Sequence, residues 1–197
     1  PLLVPLYRKE SSWSEREVAR YEHKAIEAAL AQIARIDLPV VYIDCGADIG
    51  LVASAIARQC ANLESIIAYE PNAEAHTLLA HSFRRWSVEA RAINAAVGAR
   101  RMRGRLTTGI SSSAHAQFIV EDPEGSVEVR RVDDESIPEG RAVLLKIDVE
   151  GLEFEVASGA VETLRRAPAF VVMFEAHPRV FERTGVDPCE TIRLRPS

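Results

Sequence analysis

Short apolar runs occur along this chain at residues 40–44, 65–70, 90–97, 143–148 and 169–175, and each predicts a strand. Residues 14–36, 49–60, 72–86 and part of 151–166 instead carry the spacing of a helix. The first of these opens on Ser14-Glu15-Arg16-Glu17, a capping-box pattern. Its apolar stripe runs through Val18, Tyr21, Ala25, Ile26, Ala29 and Ile33, and Leu38-Pro39 ends it. Two further short helices are expected at 179–183 and 188–193. Strands that alternate with helices imply a doubly wound, mainly parallel α/β sheet with right-handed crossovers. The alternation lapses between residues 98 and 133. Segments 101–107, 116–120 and 127–132 read there as short strands, a β-rich insertion between the third and fourth strands of the main sheet. Within it, Gly109-Ile110-Ser111-Ser112-Ser113-Ala114-His115 is a polar loop, read either as a solvated hairpin loop or as a lid over a ligand. The chain thus divides into an arm and helix, 1–39, and a main domain, 40–197.

The candidate chemistry begins where the first strand meets its helix, at Asp44-Cys45-Gly46-Ala47-Asp48-Ile49-Gly50. Glycines on a strand-to-helix turn let backbone approach a ligand and are expected to aim free N–H groups of the helix start at it. The second strand ends in Glu70, 24 residues beyond Gly46. A carboxylate at about that distance holds adenosine ribose hydroxyls in doubly wound folds. Nicotinamide dinucleotides and S-adenosylmethionine both remain open at this point, and the glycine spacing separates them. A dinucleotide turn is G-x-G-x-x-G, whereas this chain has Gly46-x-x-x-Gly50 with Asp48 between. A carboxylate there would repel a pyrophosphate and suits a cationic ligand.

Composition narrows the function classes. A chain of 197 residues, 47% hydrophobic and 27% charged, fits one ordinary α/β domain. A net charge of -5 argues against a dedicated nucleic-acid binder. The longest purely apolar run, Ala169-Phe170-Val171-Val172-Met173-Phe174, is far short of a membrane span. Cys45, Cys60 and Cys189 show no metal or redox spacing, so free thiols and a cytoplasmic location are expected.

Three segments together resemble the FkbM-type family of S-adenosylmethionine-dependent methyltransferases. They are the turn from Asp44 to Gly50, like that family's D-x-G-A-N-x-G; Tyr69-Glu70-Pro71-Asn72, like its E-P; and Lys146-Ile147-Asp148-Val149-Glu150-Gly151-Leu152-Glu153, like its K-x-D-x-E-G-x-E. Asn94-Ala95-Ala96-Val97-Gly98 at the end of the third strand, the Gly109-Ile110-Ser111-Ser112 loop and Glu175-Ala176-His177-Pro178 after the fifth strand are supporting matches. The resemblance implies a class I methyltransferase fold, Rossmann-like, with S-adenosylmethionine as cofactor. It implies that Asp44, Gly46, Ala47, Asp48 and Gly50 line the methionine half of the cofactor. Glu70, with Pro71 beside it, would take the ribose hydroxyls, and Asn94 and Ala95 would lie near the adenine. Asp148 and Glu150 would face the transferred methyl and the acceptor. The family has Asn where this chain has Asp48, which bears on cofactor affinity. A full sheet of this type has two more strands after the fifth. The fifth strand is therefore expected as an edge, covered by chain beyond Ser197, by a second copy or by another partner.

Methyl transfer to an oxygen of a small molecule or glycan asks the protein for alignment and for proton removal. Candidate bases are His177, Asp148 and Glu150. His177 lies just past a strand's C-terminal end, where open α/β sheets bind ligands, though it could equally start the next helix. Asp148, Glu150 and Glu153 also admit a hard cation. A solvated helix face is the preferred reading of Glu153, and no metal is assigned. The cluster Arg100-Arg101-Met102-Arg103-Gly104-Arg105 reads as a strand edge, or else as a binder of an anionic acceptor such as a phosphorylated sugar. Two alternatives stand beside the methyltransferase reading: a nicotinamide-dependent oxidoreductase, and a non-catalytic methyltransferase-like binding domain.

Overall fold

The computed structural model describes residues 22–108, 117–149, 151–175 and 185. Its elements, in chain order, are α1 (His23–Ile33), β1 (Val40–Cys45), α2 (Leu51–Gln59), β2 (Leu63–Tyr69), α3 (Ala73–Phe83), β3 (Glu89–Ile93), β4 (Ala96–Val97), β5 (Met102–Thr108), β6 (Gln117–Glu121), β7 (Val127–Arg130), β8 (Ala142–Ile147), α4 (Glu153–Ser158), α5 (Val161–Arg166) and β9 (Phe170–Phe174). The capping box at 14–17, the polar loop at 109–115 and the helices expected at 179–183 and 188–193 lie outside the described residues.

The main sheet has the order β3-β2-β1-β8-β9, with every neighbouring pair parallel. Its two central strands, β1 and β8, are buried along their whole length, which is why they read as unbroken apolar runs. Helices cover both faces. Ile26, Ala29 and Ile33 of α1, Val52 and Ile56 of α2, and Leu79 and Phe83 of α3 pack on one face against Tyr42 and Ile66. Val156 and Ala157 of α4, with Ala160 and Val132, pack on the other against Ile43, Tyr69 and Ile147. Ala25, expected on the packed stripe of α1, is exposed.

The β-rich insertion is a second sheet, in the order β4-β7-β5-β6. The third predicted strand, 90–97, divides between the two sheets. It pairs with β2 as far as Ile93, and Ala96 and Val97 then join β7. The break falls at Asn94, whose side-chain amide donates to the carbonyls of Glu70 (2.9 Å) and Pro71 (3.2 Å). The Ala95 N–H turns back to Ile93 O at 2.9 Å. Segment 151–166 is likewise two short helices. A Cβ on Gly159 would stand 2.2 Å from the carbonyl oxygen of Gly98, so the second sheet presses against the chain there. Among the described residues β9 pairs only with β8, and Phe170 and Val172 on it are exposed.

Candidate active site

The strand ends bring the expected turn, Glu70 and Asp148 to one edge of the sheet. In register, Cys45 stands beside Tyr69 on one side and Ile147 on the other. Gly46 (φ +87°), Asp48 (φ 48°) and Gly50 (φ 89°) are all left-handed, which folds the turn tightly. The free N–H groups expected at the helix start belong to the first turn of α2, whose first helix bond is Ser54 N–H to Gly50 O, while four N–H groups of the turn before it bond within the chain. The N–H groups of Gly46 and Ala47 both donate to Tyr69 O, at 3.1 and 2.9 Å. The Asp48 N–H donates to Glu70 Oε2 at 2.7 Å, and the Gly50 N–H to Ala47 O at 2.8 Å. Gly46 must be glycine for a reason within the chain. A Cβ on it would lie 1.8 Å from the carbonyl oxygen of Asp148, so the chain's own backbone occupies that space.

Glu70 follows β2 directly, and its carboxylate is held from two sides. Oε2 accepts from Asp48 N–H, and Oε1 accepts from Asn72 N–H at 2.8 Å. Asn72 in turn caps α3, its Oδ1 accepting from the N–H groups of Glu74 and Ala75. The carboxylate therefore bridges the glycine turn and a helix start. Burial pushes its pKa up to about 7 against the pull of the Asn72 N–H, and the nearby Asp48 carboxylate adds to the rise.

Asp44 and Lys146 sit opposite one another in the β1–β8 register. Lys146 is buried, with Nζ donating to Asp148 Oδ2 at 3.0 Å and to Gly46 O at 3.2 Å. Asp44 Oδ1 is 3.4 Å away, an ion pair without a hydrogen bond. Burial pulls the Lys146 ammonium down, but Asp44 and Asp148 outweigh it and hold it above its ordinary value. Asp44 has no exposed surface, so it reaches the site through Lys146 and the turn above it. The motif reading gave Lys146 no role. The available signal was a cation inside an otherwise apolar strand, two residues before Asp148.

The other candidates fall into place around this core. Pro71 is half-buried between Glu70 and Asn72. Asn94 ties the end of β3 to the end of β2, and Ala95 is fully buried beneath it. Glu150 and His177 lie outside the described residues. Glu153 is not on a solvated face: it is buried, and its Oε1 accepts the Gly151 N–H at 2.9 Å, so it braces the turn after β8. No group of three His, Cys, Asp or Glu suited to a metal occurs among the described residues. The arginine cluster is matched within its own sheet. Arg100, Arg101 and Arg105 pair with Glu121, Asp134 and Asp122, and Arg103 donates to Gly125 O. A further brace was invisible to motif reading. The Tyr69 hydroxyl donates to Glu135 Oε1 at 2.6 Å, and Arg91 pairs with the same carboxylate, so β2, β3 and the segment after β7 are joined behind the site.

The result is a doubly wound α/β domain whose strand ends gather the carboxylates of Glu70, Asp48 and Asp148. The family described as Methyltransferase FkbM domain matches residues 44–193, and the chain belongs to it. Among solved structures, the FkbM methyltransferase of Methylobacillus flagellatus KT is similar at 15% identity and a TM-score of 0.52, over 92% of this chain and 55% of that one. A precorrin-6y C5,15-methyltransferase of Geobacter metallireducens GS-15 aligns at 15% identity and a TM-score of 0.48, over 93% of this chain and 76% of that one. No curated protein matches the chain. This chain therefore spans about half the length of the M. flagellatus protein. Family membership brings S-adenosylmethionine as the cofactor. Glu70, Asp48 and Asp148 gather carboxylates at the strand ends, beside the first turn of α2. Among the described residues no helix is long and apolar enough to cross a membrane.

Proposed function

We propose that this domain transfers a methyl group from S-adenosylmethionine to a hydroxyl oxygen of a small molecule or glycan. The observation that carries this reading is the backbone-clamped Glu70 carboxylate with the Asp48 carboxylate of the glycine turn close by. That combination supports a cationic nucleoside over a dinucleotide. When bound, S-adenosylmethionine supplies a methyl activated by its sulfonium. Glu70 accepts hydrogen bonds from the ribose hydroxyls. Asp148, fixed by Lys146, lends negative charge near the reacting centre. The acceptor lies over the ends of β8 and β9, because β1 and β2 take the cofactor half of the cleft. His177 is the proposed base, with the carboxylates of Asp148 and Glu150 as the other candidates.

Calorimetric titration with S-adenosylmethionine, S-adenosylhomocysteine and NAD tests the reading: the first two should bind, and binding of NAD alone would overturn it. Glu70→Ala should weaken S-adenosylmethionine binding at least about tenfold, since hydrogen bonds to a charged group are worth about 1.5–3 kcal/mol each. The same titration should be pH-dependent. The bound form needs Glu70 ionised, and its pKa in the free protein is about 7. Affinity should therefore be about tenfold lower at pH 6 than at pH 8 and level off above that. Asp48→Asn removes one of the charges that raise Glu70, so it should shift this profile to lower pH and tighten binding at pH 6. A flat profile in the wild type would take Glu70 out of the cofactor site. His177→Ala should lower turnover by about a hundredfold or more while cofactor affinity stays level, because a base acts on the acceptor. Normal turnover would pass the role to Asp148 or Glu150.

A further inference from the structure

We propose that Glu135, which no motif contains, is a positioning residue for the cofactor: through the Tyr69 hydroxyl it fixes the end of β2, and so sets where the glycine turn and Glu70 stand. The inference rests on the reading that Glu70 holds the ribose, and adds to it a residue brought in from the second sheet. Tyr69 is the node. Its carbonyl accepts both the Gly46 and the Ala47 N–H, at 3.1 and 2.9 Å, so the start of the turn hangs from this one residue. The next residue is Glu70, whose carboxylate accepts from Asp48 N–H and Asn72 N–H. The Tyr69 side chain is fully buried, and its hydroxyl donates to Glu135 Oε1 at 2.6 Å, the short distance of a charge-assisted bond. Burial, and then Glu135 itself, hold that hydroxyl above its ordinary pKa, so Tyr69 is the donor.

The other end of this tether is anchored. Glu135 follows the short 3-10 turn Val132–Asp134, and its N–H donates to Val132 O at 3.0 Å. That turn is bound to the junction of α4 and α5. The Asp133 N–H donates to Gly159 O at 2.8 Å, and Asp133 Oδ1 accepts the Thr163 N–H at 2.7 Å. The second oxygen of Glu135 pairs with Arg91 of β3, which stands beside Ile67 of β2 in register. One carboxylate therefore ties a turn fixed on the helices to the two strands that end at Glu70 and Asn94. A phenylalanine at position 69 would bury the same apolar ring. What the hydroxyl adds is direction, and the residue it directs carries the turn on its carbonyl and precedes the ribose carboxylate.

Calorimetric titration of the full chain with S-adenosylhomocysteine at pH 8 is the test, with denaturant midpoints measured on the same samples. Tyr69→Phe, which removes one oxygen and keeps the packing, should weaken binding at least about fivefold. Glu135→Ala should do the same. Glu135→Gln, which keeps an oxygen facing the hydroxyl, should recover most of the affinity. Tyr69→Phe combined with Glu135→Ala should bind no more than about twofold more weakly than Glu135→Ala, because both act through one bond. Arg141→Ala breaks the Arg141–Glu64 pair at the far end of β2 and should leave affinity within about twofold of the wild type. Tyr69→Phe and Glu135→Ala proteins that lose stability yet bind S-adenosylhomocysteine as the wild type does would overturn the inference, leaving Glu135 a brace of the fold alone. A Glu135→Gln protein that binds no better than Glu135→Ala would overturn it too. Glu70→Ala in the same titration separates the two readings. If it weakens binding while Tyr69→Phe and Glu135→Ala do not, only the role of Glu135 falls. If it leaves binding unchanged, the ribose contact and this inference fall together.

Discussion

Gly46→Ala should cost about 4 kcal/mol or more, enough to unfold a domain of ordinary stability or leave it marginal. Two penalties act at once. The residue sits at φ +87°, where an L side chain is strained by roughly 1–2 kcal/mol. The new Cβ would also lie 1.8 Å from the carbonyl oxygen of Asp148 and 2.9 Å from its carbonyl carbon, both backbone atoms. Relief requires β1 and β8 to separate at their ends. That would break the Asp148 N–H to Cys45 O bond of 3.0 Å and the Lys146 bond to Gly46 O. Chemical denaturation of the variant, with circular dichroism as the readout, checks this. A loss below about 1 kcal/mol would mean that the turn tolerates a side chain and that the close approach is not a constraint.

Lys146→Met should destabilise the fold by about 3–5 kcal/mol at neutral pH, the usual cost of removing one partner from a buried ion pair. Asp44 would be left with no exposed surface and no cation, and Asp148 would lose the ammonium that orients it. The loss should shrink on acidification. Burial already holds the Asp44 carboxyl above its ordinary value, and without the opposing pull of Lys146 it rises further, so the folded variant holds a proton that the unfolded chain has released. Its stability then rises as pH falls through that window. Adding Asp44→Asn should recover part of the loss at pH 8, because the stranded charge is gone. Denaturant midpoints for the single and double variants at pH 5 and pH 8 measure both effects. A Lys146→Met protein as stable as the wild type at pH 8 would show that the carboxylates do not depend on it.

The motif that named Asp148 contains Lys146, yet nothing local to it says that Lys146 faces Asp44. That follows from the parallel register, which puts Lys146 beside Asp44 and its Nζ within reach of Gly46, 100 positions earlier in the chain. Glu153 shows the same limit. A glutamate at a helix start reads as solvated, and only the packing of α4 against the sheet buries it onto the Gly151 N–H. Asn94 looked like part of a strand because its neighbours are apolar. Its side chain instead holds the Glu70 and Pro71 carbonyls and sends the chain to the second sheet.

Local pattern was enough for the alternation of strands and helices, the glycine turn, the acidic residue after β2 and the β-rich insertion. Each of these is written in neighbouring residues, as side-chain period or as turn chemistry. Tertiary structure alone decided why Gly46 must be glycine, which cation compensates Asp44, and which N–H groups of the turn the chain itself uses. Those depend on strands and turns distant in sequence meeting within hydrogen-bond or van der Waals distance. The chain carries no local mark of that meeting, because a buried polar group is defined by what comes to lie against it.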